Sequence, residues 1–228
     1  MGLLVAIEGI DGTGKGTQAR HLADRLTAAG HSTQLIGFPR YSETAFGKRI
    51  GEFLNGRYGA LDAVHPLLVS LLFAGDRFES LERLQDAIDD CDVVVLDRYV
   101  ASNIAHQAAK LHGLERHELK SFIEHLEYRI YRLPPADLVV LLDLPAAVAQ
   151  TLIANKQQRD YTDKQKDLQE TDVAYQESVR QLYLELAATQ PTWRRVDVAP
   201  GNNLRHIDDI AAEVYDVVRT RLAGVRKV

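Results

Sequence analysis

The chain has 228 residues, 46% hydrophobic and 26% charged, with a formal net charge of -5. That size and apolar share suit a single domain, residues 1–228, with a sizeable core. The acidic balance argues against a general binder of nucleic acid or anionic membrane, because such partners select a basic face, and it leaves room for a local basic pocket.

Leu3 to Ile7 is a short apolar run ending at Glu8-Gly9, which predicts a buried strand. From about Lys15 to Ala29 the pattern turns helical, with Ala19, Leu22, Ala23 and Leu26 on one face and Gly30 as the stop. Thr33 to Phe38 predicts a second strand closed by Pro39, and Leu67 to Ile88 a long helical stretch. Asp92 to Leu96 predicts a buried strand closing at Asp97, and Cys91 at its entrance reads as a small strand-end residue. As the one cysteine, it permits no intrachain disulfide and no Cys-rich zinc site.

After Pro134-Pro135, Leu138 to Leu142 predicts a further strand. Val173 to Ala188 is helical, Arg195 to Val198 predicts the last strand, and Ile207 to Leu222 a closing helix. Alternating strands and helices predict an α/β fold, a parallel five-stranded sheet with helices on both faces. The amino terminus shows no basic region followed by an apolar stretch, and no run reaches the ~18 residues of a membrane span. A reduced, cytoplasmic setting is expected. Residues 155–171 carry Lys156, Arg159, Asp160, Asp163, Lys164, Lys166, Asp167 and Glu170 with few apolar partners. They suit either a solvated surface or a mobile lid that brings a cation over phosphates.

The sharpest signal is Gly9-Ile10-Asp11-Gly12-Thr13-Gly14-Lys15-Gly16-Thr17, lying between the first strand and the first helix. Two glycines with four residues between them, Gly9 and Gly14, and a following lysine form the P-loop pattern. Glycines let main-chain N–H groups curl around phosphate oxygens, and the helix N-terminus adds a positive dipole end. Gly16 stands where Ser or Thr is usual and Thr17 follows, so metal ligation through Thr17 and Asp97 is expected to run partly through water. Asp11 inside the loop suits either a turn or an acceptor for a sugar hydroxyl of a second substrate.

Three further segments point to that second substrate. Phe38-Pro39-Arg40 ends the second strand, where loops of a parallel sheet meet the ligand crevice. Phe73 and Arg77, four apart, share a helix face on which a ring can stack on a base and a guanidinium can reach its edge. Asp97-Arg98-Tyr99 ends the third strand, where a carboxylate can orient metal-bound water and an arginine can fork onto a phosphate.

Taken in this order, the segments resemble the thymidylate kinases over nearly the whole chain. Ser102-Asn103-Ile104-Ala105-His106-Gln107 resembles the family's stretch after that arginine, and Val196-Asp197-Val198 its adenine-side strand and loop. The resemblance implies transfer of a phosphoryl group from magnesium-bound ATP to dTMP by a homodimer packed through helices. It implies Asp11 at the sugar 3′-hydroxyl, Arg40 and Arg98 at the acceptor phosphate, and Phe73 and Arg77 at thymine. Asn103, His106 and Gln107 would lie near base and sugar, and Lys15, Asp97 and Arg159 would serve the transferring phosphate and metal. His106 departs from the Tyr or Phe usual in the family. Another monophosphate acceptor (dUMP, UMP or AMP) and a P-loop switch ATPase are the rival readings.

Overall fold

The computed structural model describes residues 2–60, 62–154 and 172–225. The expected lid, 155–171, and Arg159 within it lie outside the described residues. Strands β1 (Leu3–Glu8), β2 (Thr33–Gly37), β3 (Val93–Asp97), β4 (Leu138–Asp143) and β5 (Trp193–Asp197) form one sheet in the order β2-β3-β1-β4-β5. Every pairing is parallel. β1 and β4 are buried along their whole length, as expected for Val, Ile and Leu runs sandwiched between helix layers.

The helices are α1 (Lys15–Ala28), α2 (Ala45–Leu54), α3 (Pro66–Glu79), α4 (Leu81–Asp90), α5 (Val100–Ala108), α6 (Gly113–Glu124), α7 (Ala146–Ala154), α8 (Val173–Thr189) and α9 (Ile207–Val225). A six-residue π-helical stretch, His125–Ile130, continues α6. The helical stretch expected over 67–88 consists of two helices, broken at Ser80. There the Ser80 hydroxyl donates to the Asp76 carbonyl at 2.8 Å and accepts from Arg40 Nη1 at 2.9 Å. A serine that bonds back four residues and also receives an outside donor competes with the helical ladder.

The last strand begins two residues before the expected Arg195, at Trp193. The main core surrounds the sheet, and a second, smaller cluster of Ile50, Phe53, Leu54 and Val69 lies between α2 and α3. β1, β3, β4 and β5 each end on a carboxylate, Glu8, Asp97, Asp143 and Asp197, at one rim of the sheet. The glycine loop starts at that same rim.

Candidate active site

The loop between β1 and α1 is shaped by close backbone approaches. A Cβ on Gly9 would stand 2.6 Å from the Leu142 carbonyl, and one on Gly12 2.7 Å from the Ala149 carbonyl of α7. Both residues adopt positive φ, 145° and 86°, so glycine is needed for space and for conformation. Gly14 is the left-handed cap of α1, and Thr13 Oγ1 closes the turn on the Ile10 carbonyl at 3.0 Å. The Lys15 ammonium folds over the loop to the Ile10 carbonyl at 2.5 Å.

Gly16 has its own reason. A Cβ there would lie 2.9 Å from Asp97 Oδ2, so the strand-end carboxylate fills the space a side chain would take. Asp97 Oδ1 is buried without a hydrogen-bond partner among the described residues. Thr17 sits exposed in the first turn of α1.

Asp11 and Arg98 join the loop to the end of β3. Arg98 Nη2 donates to Asp11 Oδ1, while Gln176 on α8 donates Nε2–H to Asp11 Oδ2 at 3.1 Å and accepts the Asp11 N–H at 3.2 Å. Arg98 Nη1 reaches Ser102 Oγ at 3.2 Å and His106 Nε2 at 3.3 Å, both on α5. Burial would lower the Arg98 pKa, but Asp11, Tyr183, Asp97 and Glu8 together outweigh it and hold the guanidinium more firmly protonated than usual.

Below this cluster the buried Glu8 accepts from the Tyr99 N–H at 2.8 Å, Ser102 Oγ at 2.6 Å and Tyr183 Oη at 2.9 Å. Burial pushes its pKa up.

Two amides of α5 stand one turn apart with their orientations fixed. Asn103 Nδ2 donates to the Ser70 carbonyl at 3.0 Å and Glu127 Oε1 at 2.9 Å. Gln107 Oε1 accepts from the Lys110 ammonium at 2.9 Å. This leaves Asn103 Oδ1 and Gln107 Nε2 buried without partners among the described residues, an acceptor and a donor on adjacent turns. Lys110 lies 5.6 Å from the Phe53 ring centroid and 5.9 Å from that of Tyr175, and burial lowers its pKa to about 8.

Phe73 packs half-buried against the second core cluster, near the Phe53 that Lys110 caps. Arg77 does not stand open beside it. Its Nε and Nη2 are clamped by Glu127 at 2.5 and 2.7 Å, and both side chains are buried. Arg40 is likewise engaged, through its N–H to Asp76 at 3.1 Å and its guanidinium to Ser80 and Glu43. The buried Phe38 ring lies 6.2 Å from Tyr99.

The sequence reading passed over Gln176, Tyr175, Tyr183, Glu127 and Lys110. All but Lys110, which lies in the turn just after α5, come from helical segments remote in sequence, and only Tyr175-Gln176, opening a helix just after the charge-rich stretch, offered a local cue.

The described rim therefore joins a glycine loop with its lysine to an arginine, Arg98, and the α5 side chains it touches, through one ion pair. A family model described as thymidylate kinase matches residues 7–206. The chain belongs to the thymidylate kinase family.

Its similarity to individual members runs along most of the chain. It is 37% identical over 186 residues to a thymidylate kinase of Mycobacterium tuberculosis, covering 82% of this chain and 86% of that one. It is 35% identical to a probable thymidylate kinase of Thermococcus gammatolerans, covering 99% and 100%. Among solved structures, the thymidylate kinase of Candida albicans superimposes with a TM-score of 0.73 at 29% identity, covering 96% of this chain and 92% of that one. The fold is that of the P-loop nucleotide-binding proteins.

Proposed function

We propose that this chain transfers the γ-phosphoryl group of ATP to dTMP, giving dTDP and ADP. The observation that carries the reading is the Arg98–Asp11 pair, which sets an arginine for the acceptor phosphate directly against the phosphate loop. Phosphoryl transfer needs alignment and charge compensation rather than a protein nucleophile. In our reading Lys15 and the amides of Gly9, Gly12, Thr13, Gly14, Gly16 and Thr17 hold the donor phosphates. Arg98, with Arg40 at its side of the crevice, fixes the acceptor phosphate. Arginine suits this work because its planar fork fixes a phosphate through two bonds.

Asp11 would accept the sugar 3′-hydroxyl, and Phe73 would stack on the base. Asn103 Oδ1 matches the N3–H of thymine and Gln107 Nε2 a carbonyl beside it. Cytosine offers a bare N3 and would leave Asn103 facing another acceptor. Arg77 we place one layer behind this edge, holding Glu127 and through it Asn103.

Mg²⁺ fits the residues present. Asp97, whose Oδ1 has no hydrogen-bond partner among the described residues and whose Oδ2 takes the room left by Gly16, would with Thr17 hold the ion partly through water, and the ion would supply positive charge against the phosphates. We further propose that residues 155–171 are a lid carrying Arg159 within the one domain, and that the chain works as a cytoplasmic homodimer. Exposed Leu68, Phe78, Leu114 and Ile130 support a helical dimer face. A panel of monophosphates with labelled ATP, run with and without Mg²⁺, tests the activity. Preference for AMP or UMP would overturn the acceptor, and hydrolysis without transfer would overturn the reaction.

A further inference from the structure

His106 is buried on α5, and its hydrogen bonds settle its protonation. A guanidinium can only donate, so the Arg98 Nη1 contact at 3.3 Å requires a bare nitrogen at His106 Nε2. The proton must then sit on Nδ1, which faces Tyr175 Oη at 3.2 Å. Tyr175 Oη accepts it and passes its own hydrogen to the His106 carbonyl at 2.8 Å. The chain of donors runs in one direction, and no member can reverse without placing two donors face to face. The surroundings agree. Burial, followed by the charges of Arg98, Lys15 and Lys110, pulls the His106 pKa to about 3 against the opposing Asp11, and Tyr183 packs edge-on to the ring.

Arg98 therefore has three holds: Asp11, Ser102 and His106. Under the function proposed above, Asp11 is also the partner of the acceptor sugar, so its grip on Arg98 changes when substrate arrives. Ser102 is shared with Glu8 and Tyr183. We propose that His106, as the neutral Nδ1–H imidazole set by Tyr175, is a positioning residue that keeps the Arg98 guanidinium aimed at the acceptor phosphate. This inference rests on the acceptor-phosphate reading of Arg98.

The test uses the full chain with ATP and dTMP. His106→Leu removes the acceptor, and kcat should fall by about tenfold or more with KM for ATP held. His106→Gln, whose amide oxygen reaches the place of Nε2, should recover most of that loss. In an Arg98→Ala background the added effect of His106→Leu should shrink to about twofold or less, since the two act as one unit.

Nitrogen-15 spectra of the unmutated protein should show His106, identified as the signal missing from His106→Gln, as a non-titrating Nδ1–H tautomer from about pH 5.5 to 8. Full activity in His106→Leu overturns the inference while leaving the Arg98 reading intact, and so does an undiminished loss in the Arg98→Ala background. A normal turnover by Arg98→Ala alone overturns both. Should the leucine variant fail to fold, an Nε2–H tautomer or a titrating ring in the unmutated chain still refutes it.

Discussion

Arg98 follows β3 in the left-handed region, at φ 69°. A non-glycine residue persists there only when its surroundings over-determine it, and its N–H to the Ile7 carbonyl plus three side-chain partners do so. Arg98→Ala should cut turnover with dTMP by a few orders of magnitude while ATP affinity stays nearly unchanged, as steady-state kinetics and nucleotide titration would show. Phe73→Ala should weaken dTMP binding by about 1–3 kcal/mol, measurable by calorimetry, if the ring stacks on the base. From the fixed polarity of Asn103 and Gln107, dCMP should be used at least about a hundredfold less efficiently than dTMP in kcat/KM. At this scale the glycine loop and its lysine were legible in the sequence, because glycine and lysine in a tight spacing form a local pattern that the β1–α1 loop adopts. The sequence did not show that Arg77 Nε and Nη2 are held by Glu127, because that partner arrives from a π-helical stretch 50 positions away.

Helices α2 and α5 were missed as elements for opposite reasons. α2 contains Gly47 and Gly51, which weaken helix propensity, yet Thr44 caps it through Oγ1 to the Gly47 N–H at 2.8 Å, and Ile50, Phe53 and Leu54 line its buried face. The threonine and that apolar spacing were the legible signal. α5 is buried on nearly every side, so it shows no amphipathic period to read. The glycines of this layer carry a prediction. A Cβ on Gly47 would stand 2.2 Å from the Arg40 carbonyl, whereas one on Gly75 would meet the Phe46 ring at 2.6 Å. The ring is 37% exposed and can swing away, but the main chain cannot. Gly47→Ala should therefore destabilise by about 1–3 kcal/mol and raise KM for dTMP through Arg40, with Gly75→Ala well below it in urea unfolding.

Across the whole molecule, the parallel sheet and its helix layers were readable because β1, β3 and β4 are bounded apolar runs followed by helical segments, whereas the strand order was not. The crossing of α7 over Gly12 and the tie from α8 to Asp11 were not readable either, since both depend on how distant helices dock. The buried Glu8 links these layers, and it governs a response to pH. Its folded pKa is raised, so its contribution to stability is fully present below the unfolded carboxyl value and is lost as pH rises through the folded one. Glu8→Gln should remove that slope. Its melting temperature relative to the unmutated chain should climb from about pH 5 to about pH 8, and a constant gap would contradict the assignment.

The four carboxylates that close the sheet bear on which molecules can approach at all. Asp143 is neutralised by Arg180 and Arg195, and Glu8 is enclosed by donors, but Asp97, set against Gly16 of the loop, keeps one oxygen without a partner among the described residues. A naked polyphosphate meets like charge there, and one already escorted by a counter-cation does not. Under the function proposed above, the edge would act as a charge filter, admitting triphosphates by the company they keep before any base or sugar is inspected.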